Sequence, residues 1–214
     1  MKDSQQQAQA CVIWMHGLGA DASDMAGLAD QLLLPDVAVR HVFIDAPVRP
    51  VTLNGGMAMP AWYDILGMEL VDREDKQGIE QSDSLIRAVM DTQLSDGFTH
   101  DKLFLAGFSQ GGAMALHTAL HTKHRLGGVI ALSAYLPLAR ENRPDLDKST
   151  PFFMAGGQYD QLVLPTWTQQ SHEWLKTHGY EKIAFHQYAM EHSICLEEIR
   201  DLSQWLSSQV EGAL

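Results

Sequence analysis

The sequence predicts a single-domain α/β fold, with a mostly parallel central sheet, helices on both faces and no large cap domain. Three observations carry this. Short apolar runs rich in β-branched residues alternate along the chain with stretches of helical period. Of the 214 residues, 45% are hydrophobic and 20% charged, which excludes disordered and collagen-like chains. A chain of this length buries on the order of 70% of its unfolded surface, enough for one sizeable core, and no linker, repeat or low-complexity segment divides it. The domain is expected over residues 11–214, after a flexible, Gln-rich segment over residues 1–10.

Residues 11–15 (Cys11-Val12-Ile13-Trp14-Met15) read as a fully buried strand, stopped by the turn His16-Gly17-Leu18-Gly19. A helix is expected over 25–34, capped by Ser23 or Asp24 and stopped by Pro35. Residues 39–44 form a second strand, ended by Ala46-Pro47. Residues 47–77 carry several Pro and Gly without a steady period and read as a long loop with little regular structure. Over 78–94 a helical stripe returns through Ile79, Leu85, Ile86, Val89 and Met90. The alternation then repeats: strand 102–106, helix 110–120, strands 128–132 and 152–155, helix 167–177, strand 183–188 and a last helix over 193–206.

Fifteen Lys and Arg against twenty-seven Asp and Glu give a net charge of −12. That field repels phosphate backbones and the chain has no basic patch, so no nucleic-acid partner is expected. The two cysteines, Cys11 and Cys195, lie far apart without CxxC spacing, which argues against a disulfide framework and a thiolate zinc site. The apolar runs are too short to span a bilayer, and none forms a signal-peptide core before Gln9-Ala10-Cys11. A cytoplasmic protein without stable membrane insertion, monomer or homodimer, is the expectation.

The sharpest motif is Gly107-Phe108-Ser109-Gln110-Gly111, set between an apolar strand and an apolar helix. That is the context of a nucleophile elbow: a tight turn strains the serine backbone, side chains at 107 and 111 would collide with neighbouring elements, and the hydroxyl stands at a helix N-terminus. A serine needs a base and an orienting acid, which follow in the chain order Ser, Asp, His. Asp160, past the strand that includes Phe152-Phe153-Met154-Ala155, and His192, past the strand ending at Tyr188, hold those places. The backbone N–H groups of Gln110 and Leu18 are the candidate oxyanion donors. His16 is read as holding its own turn.

His117, His121 and His124 share a helix face at metal-ligand spacing, but a solvated helix end with Lys123 and Arg125 explains them, and no metal or organic cofactor is needed. Met57, Met59, Leu66, Met68 and Leu70 serve either as loop packing or as an acyl-binding surface. Trp62 and Tyr63 are read as loop anchors.

With these pieces in place the chain resembles the phospholipase/carboxylesterase branch of the α/β hydrolases, which includes acyl-protein thioesterases, over about residues 11–206. The resemblance rests on Trp14-Met15-His16-Gly17-Leu18-Gly19, Met59-Pro60-Ala61-Trp62-Tyr63-Asp64, Gly107-Phe108-Ser109-Gln110-Gly111-Gly112, Ala131-Leu132-Ser133-Ala134-Tyr135-Leu136-Pro137, Gly157-Gln158-Tyr159-Asp160 and the stretch from His192 to Ile199. It implies an α/β-hydrolase fold, a Ser109–His192–Asp160 triad and oxyanion donors at Leu18 and Gln110. It also implies a serine esterase acting through an acyl-enzyme on small esters, lysophospholipids or acylated proteins. A carboxylesterase for short- to medium-chain esters is the main expectation, with a thioesterase or lysophospholipase as the alternative and a non-catalytic binding scaffold outside the enzyme class. The sequence departs from the family at Ala189-Met190-Glu191, where Gly-Met-Gly is usual, and at Ser133-Ala134-Tyr135, where Ser-Gly-Tyr is common. The first change places a charge beside the base and removes glycines that adopt positive φ.

Overall fold

Side chains alternate across a strand, and in the first strand that alternation builds both halves of the core. In the computed structural model, which describes residues 8–67, 71 and 73–212, β1 (Ala10–Met15) is followed by α1 (Ala22–Ala29), β2 (Val39–Ile44), β3 (Val48–Val51), β4 (Met57–Pro60) and α2 (Lys76–Ser95). Then come β5 (Leu103–Phe108), α3 (Gln110–Leu120), β6 (Gly128–Leu132), β7 (Phe152–Gly157), α4 (Pro165–Thr177), β8 (Ile183–Tyr188) and α5 (Leu196–Glu211). Cys11, Ile13 and Met15 enter one apolar cluster, shared with Ile79, Ile86 and Met90 of α2, most of α3, and Trp167 and Leu175 of α4. Ala10, Val12 and Trp14 enter the other, with Met25 and Leu28 of α1 and Ile199, Leu202 and Leu206 of α5. Helices therefore cover both faces, and the β1 residues are buried on both.

The six long strands run in the order β2-β1-β5-β6-β7-β8, and every adjacent pair is parallel. The chain leaves β1 toward β2, then returns to place β5 on the other side of β1. Outside the carboxyl ends of β1 and β5 lies the switch point, where open α/β sheets bind ligands. Met15 pairs with Gly107 there, so the turn after β1 and the turn after β5 are neighbours.

Several boundaries differ from the sequence reading. Residues 47–77 are not a structureless loop: β3 and β4 form an antiparallel hairpin, with Val48 opposite Pro60 and Val51 opposite Met57. Pro50 and Pro60 conceal it, since proline is tolerated in so short a two-stranded ribbon. Helix α1 starts and ends early. Asp21 caps it and Asp24 returns the bond in a capping box, while Asp30 closes it before Pro35 is reached. The last helix starts at Leu196 rather than 193, so His192 lies in the preceding turn, and it runs on to Glu211. Of the N-terminal segment, residues 1–7 lie outside the described residues; Gln9 already donates to Ala38 O at 2.7 Å and Ala10 opens β1.

Candidate active site

The turn after β5 holds Ser109 at φ 54° and ψ −120°, a region that non-glycine residues rarely occupy, at a cost of about 1–3 kcal/mol. Its surroundings enforce this. A Cβ on Gly107 would lie 2.3 Å from the Gly111 carbonyl carbon, and one on Gly111 would lie 2.1 Å from Met15 O. The Ser109 N–H donates to Leu132 O at 2.8 Å, which ties the turn to β6.

Two further loops deliver groups to this hydroxyl. Asp160, 3% exposed, follows β7; its Oδ1 accepts the N–H groups of Leu162 and Val163, both at 2.9 Å, and its Oδ2 accepts from His192 Nδ1 at 2.7 Å. That bond fixes the neutral imidazole tautomer, leaving the Nε2 lone pair 3.0 Å from Ser109 Oγ. Phe108 packs on the imidazole at 4.8 Å between ring centroids. The loop before His192 has no positive φ at Ala189, Met190 or Glu191, so the missing glycines cost it nothing, and Glu191 stays exposed. The close approach is met by Gly157 instead, where a Cβ would fall 2.3 Å from Glu191 O.

Leu18 and Gln110 border the same groove as Ser109 and His192. Among the described residues neither N–H is bonded to another backbone group outside its own helix, and the first bond of α3 runs from Ala113 N to Ser109 O. The turn carrying Leu18 is braced from three sides. His16 Nδ1 donates to Gly17 O at 2.7 Å and its Nε2 accepts from Ala46 N at 3.0 Å, so this buried histidine does hold its turn. Trp62 Nε1 donates to His16 O at 2.9 Å, and Gly19 N donates to Pro60 O at 2.8 Å.

The groove has a volume of about 960 Å³ and is mostly apolar. Its walls are Met25 and Leu28 of α1, Leu162 after Asp160, and Ile194, Leu196 and Ile199 around the start of α5. Of the residues expected to serve as loop packing or as an acyl surface, none of the described ones lines this groove. Met57 is exposed on the hairpin, Met59 packs against Gly19 and the core, and Leu66 borders a separate small cleft beside Arg73 and Glu74. The hairpin packs onto the Leu18 turn, and only Leu53, in the turn between its strands, borders the groove. Met68 and Leu70 lie outside the described residues. Nothing local in the sequence marks the α1 and α5 residues, because they become neighbours only when both helices pack on the same face of the sheet.

Tyr63 and Tyr135 also line the groove, with their hydroxyls 3.0 Å apart. Burial pushes both phenols up, so the pair stays neutral. Cys195 lines the groove as well, but burial raises its thiol, which is no rival nucleophile. Asp45 and Asp64 are engaged elsewhere: Asp45 accepts from Ala22 N at 2.8 Å and Asp64 from Thr52 N at 2.7 Å. Of the three histidines at the end of α3, His121 is partly exposed and His124 lies exposed beside Lys123, whereas His117 is turned inward. His117 is buried, burial pushes it down to about 4, and His124 packs instead on His100. Among the described residues no group of three or more His, Cys, Asp or Glu is placed to hold a metal ion, and no helix is long and apolar enough to cross a membrane.

Comparison with known proteins agrees with this geometry. A family model described as phospholipase/carboxylesterase matches residues 1–210. Acyl-protein thioesterase 1 of Neurospora crassa is 35% identical over 94% of this chain and 87% of its own length, and that of Emericella nidulans is 36% identical over 92% and 89%. Among solved structures, Arabidopsis thaliana SOBER1 superimposes with a TM-score of 0.86 at 26% identity, covering 94% of this chain and 99% of that one. Zea mays acyl-protein thioesterase 2 does so with 0.82 at 28%, covering 96% of each. The chain thus belongs to the phospholipase/carboxylesterase family of α/β hydrolases and is a carboxylic ester hydrolase.

Proposed function

We propose that Ser109, His192 and Asp160 are a catalytic triad that cleaves acyl esters and thioesters, with acylated proteins as the substrate class. The observation that carries the first part is the continuous relay from Ser109 Oγ to His192 Nε2 at 3.0 Å and from His192 Nδ1 to Asp160 Oδ2 at 2.7 Å. The second part rests on the acyl-protein thioesterase relatives and on an apolar groove at the upper end of the ~300–1,000 Å³ typical of small-molecule sites. It takes precedence over a carboxylesterase for short esters, which is the less specific reading. Two unpaired cysteines, one of them buried, fit a reducing compartment such as the cytoplasm.

In the first half-reaction Ser109 Oγ bonds to the acyl carbon while its proton passes to His192 Nε2. Asp160 holds the imidazole in place and stabilises the imidazolium. The N–H groups of Leu18 and Gln110 hold the oxyanion, each contributing about 3 kcal/mol. Collapse of the tetrahedral intermediate breaks the C–O or C–S bond, and His192 returns its proton to the departing oxygen or sulfur. Water then adds to the acyl carbon by the same route, the carboxylic acid leaves and Ser109 regains its proton.

The test is a serine-reactive fluorophosphonate probe followed by a panel of oxygen esters and thioesters of increasing acyl length. Labelling at Ser109 with turnover of long-chain thioesters is the expected result. A folded protein that takes no label at Ser109 would be a binding scaffold, and turnover confined to short oxygen esters would return the substrate class to simple carboxylic esters.

A further inference from the structure

Three helices present residues of their first turns to the groove: Ser23 and Asp24 of α1, Gln110 of α3 and Leu196 of α5. A helix N-terminus carries about half a positive charge and unbonded N–H groups, and so favours anions. At α1 this capacity is taken up within the chain. Asp21 accepts from Ser23 N at 2.8 Å, Asp24 Oδ2 accepts from Asp21 N at 3.3 Å, and Asp45 lies beside them on Ala22 N. The first turn of α5 carries Glu197 and Glu198. Burial pushes Glu198 up to about 8, but Glu197 is exposed and held below the usual carboxylate range by its own N–H and the Cys195 thiol, so it is charged. Only α3 has no acid in its first turn, and that end faces the developing oxyanion. Among the described residues lining the groove there is no Lys or Arg, and Asp24 is the one acidic residue. The chain as a whole adds a field of the same sign, at −12.

We infer that this groove selects its substrate by charge, accepting acyl groups on neutral or cationic thiols and alcohols and rejecting anionic leaving groups, with Asp24 as a specificity-determining residue. This rests on the Ser109 reading above. An anionic leaving group finds one region of positive potential, the oxyanion position, and that position is needed for the acyl oxygen. The fitting substrate is an acylated protein residue flanked by Lys or Arg, as opposed to an acyl ester of a phosphate-bearing carrier.

Three butyryl thioesters test this: those of coenzyme A, N-acetylcysteamine and thiocholine, with anionic, neutral and cationic leaving groups. Each kcat/KM is divided by that ester's own hydroxide-catalysed rate, which removes differences in intrinsic reactivity. At an ionic strength of about 0.01 M the thiocholine ester should be favoured over the coenzyme A ester by about tenfold or more, and the ratio should shrink toward about 0.15 M. Asp24→Asn should lower that ratio roughly threefold at low salt, the worth of one carboxylate at about 6 Å in water; a ratio cancels any uniform loss of activity. A coenzyme A ester cleaved as fast as the neutral one, or a ratio indifferent to salt, would overturn the inference while leaving the esterase standing. Failure to cleave N-acetylcysteamine esters of any acyl length, from butyryl to long-chain, would bring down both together.

Discussion

Gln110 holds Trp62 in place: its side-chain Oε1 accepts the Trp62 N–H at 2.7 Å, while its Nε2 donates to Tyr63 O at 2.8 Å. Trp62 in turn donates to His16 O, at the turn that carries Leu18. The residue after Ser109 therefore braces the turn carrying Leu18, the other N–H group proposed to hold the oxyanion. All three side chains are buried, so these bonds form in a medium where an unmade bond is expensive.

Gln110→Leu should reveal this brace. It strands the Trp62 N–H and the Tyr63 carbonyl without partners, each worth about 1–3 kcal/mol, so urea unfolding should show a loss of ~2–5 kcal/mol. Turnover should fall more than tenfold as the Leu18 turn loosens. A stability loss below about 1 kcal/mol would mean the loop finds other partners.

At Ser109, alanine and glycine should part company. Both remove the proposed nucleophile and should lower kcat about a million-fold, the cost of losing one member of a unit. Alanine retains the Cβ at φ 54° and should leave stability within about 1 kcal/mol, whereas glycine relieves strain and should raise the denaturation midpoint. A glycine variant less stable than the alanine variant would show that the turn is unstrained.

Asp160→Asn should cost on the order of ten-thousand-fold in kcat, because the amide favours the wrong histidine tautomer. Asp64→Asn should leave kcat within a few-fold and act on stability by about 1 kcal/mol, since its carboxylate accepts from Thr52 N and Thr52 Oγ1 in the hairpin. Stopped-flow turnover of an activated ester on both variants decides the matter, and a reversal of the two effects would move the acid to Asp64.

Glu198 sits fully buried in the first turn of α5, with neither carboxylate oxygen in a well-formed hydrogen bond, and burial pushes it up to about 8 from 4.5. Between those values the folded state binds more protons than the unfolded state, so stability falls as pH rises through this window, at up to ~1.4 kcal/mol per pH unit. Glu198→Gln should therefore match the wild type in stability near pH 4.5 and exceed it increasingly toward pH 8. Equal urea midpoints at pH 5 and pH 8 for the two proteins would refute this.

What could be read from residues alone was whatever depends on local pattern. The bounds of β2, β6, β8 and α3 are legible because apolar runs and turn residues mark both their ends. The place of Ser109 is legible because a glycine-framed turn between strand and helix has few other uses, and chain order then selects Asp160 and His192 from many acids and ten histidines. The tertiary structure decided the rest. The β3–β4 hairpin escapes detection because four-residue strands containing prolines carry no usable period. The groove escapes because its walls come from α1 and α5, some 170 residues apart, and become neighbours only when the sheet is assembled. The side-chain role of Gln110 belongs with these: hydrogen bonds across 47 and 48 residues of chain depend on where folding brings the backbone, which no local pattern records.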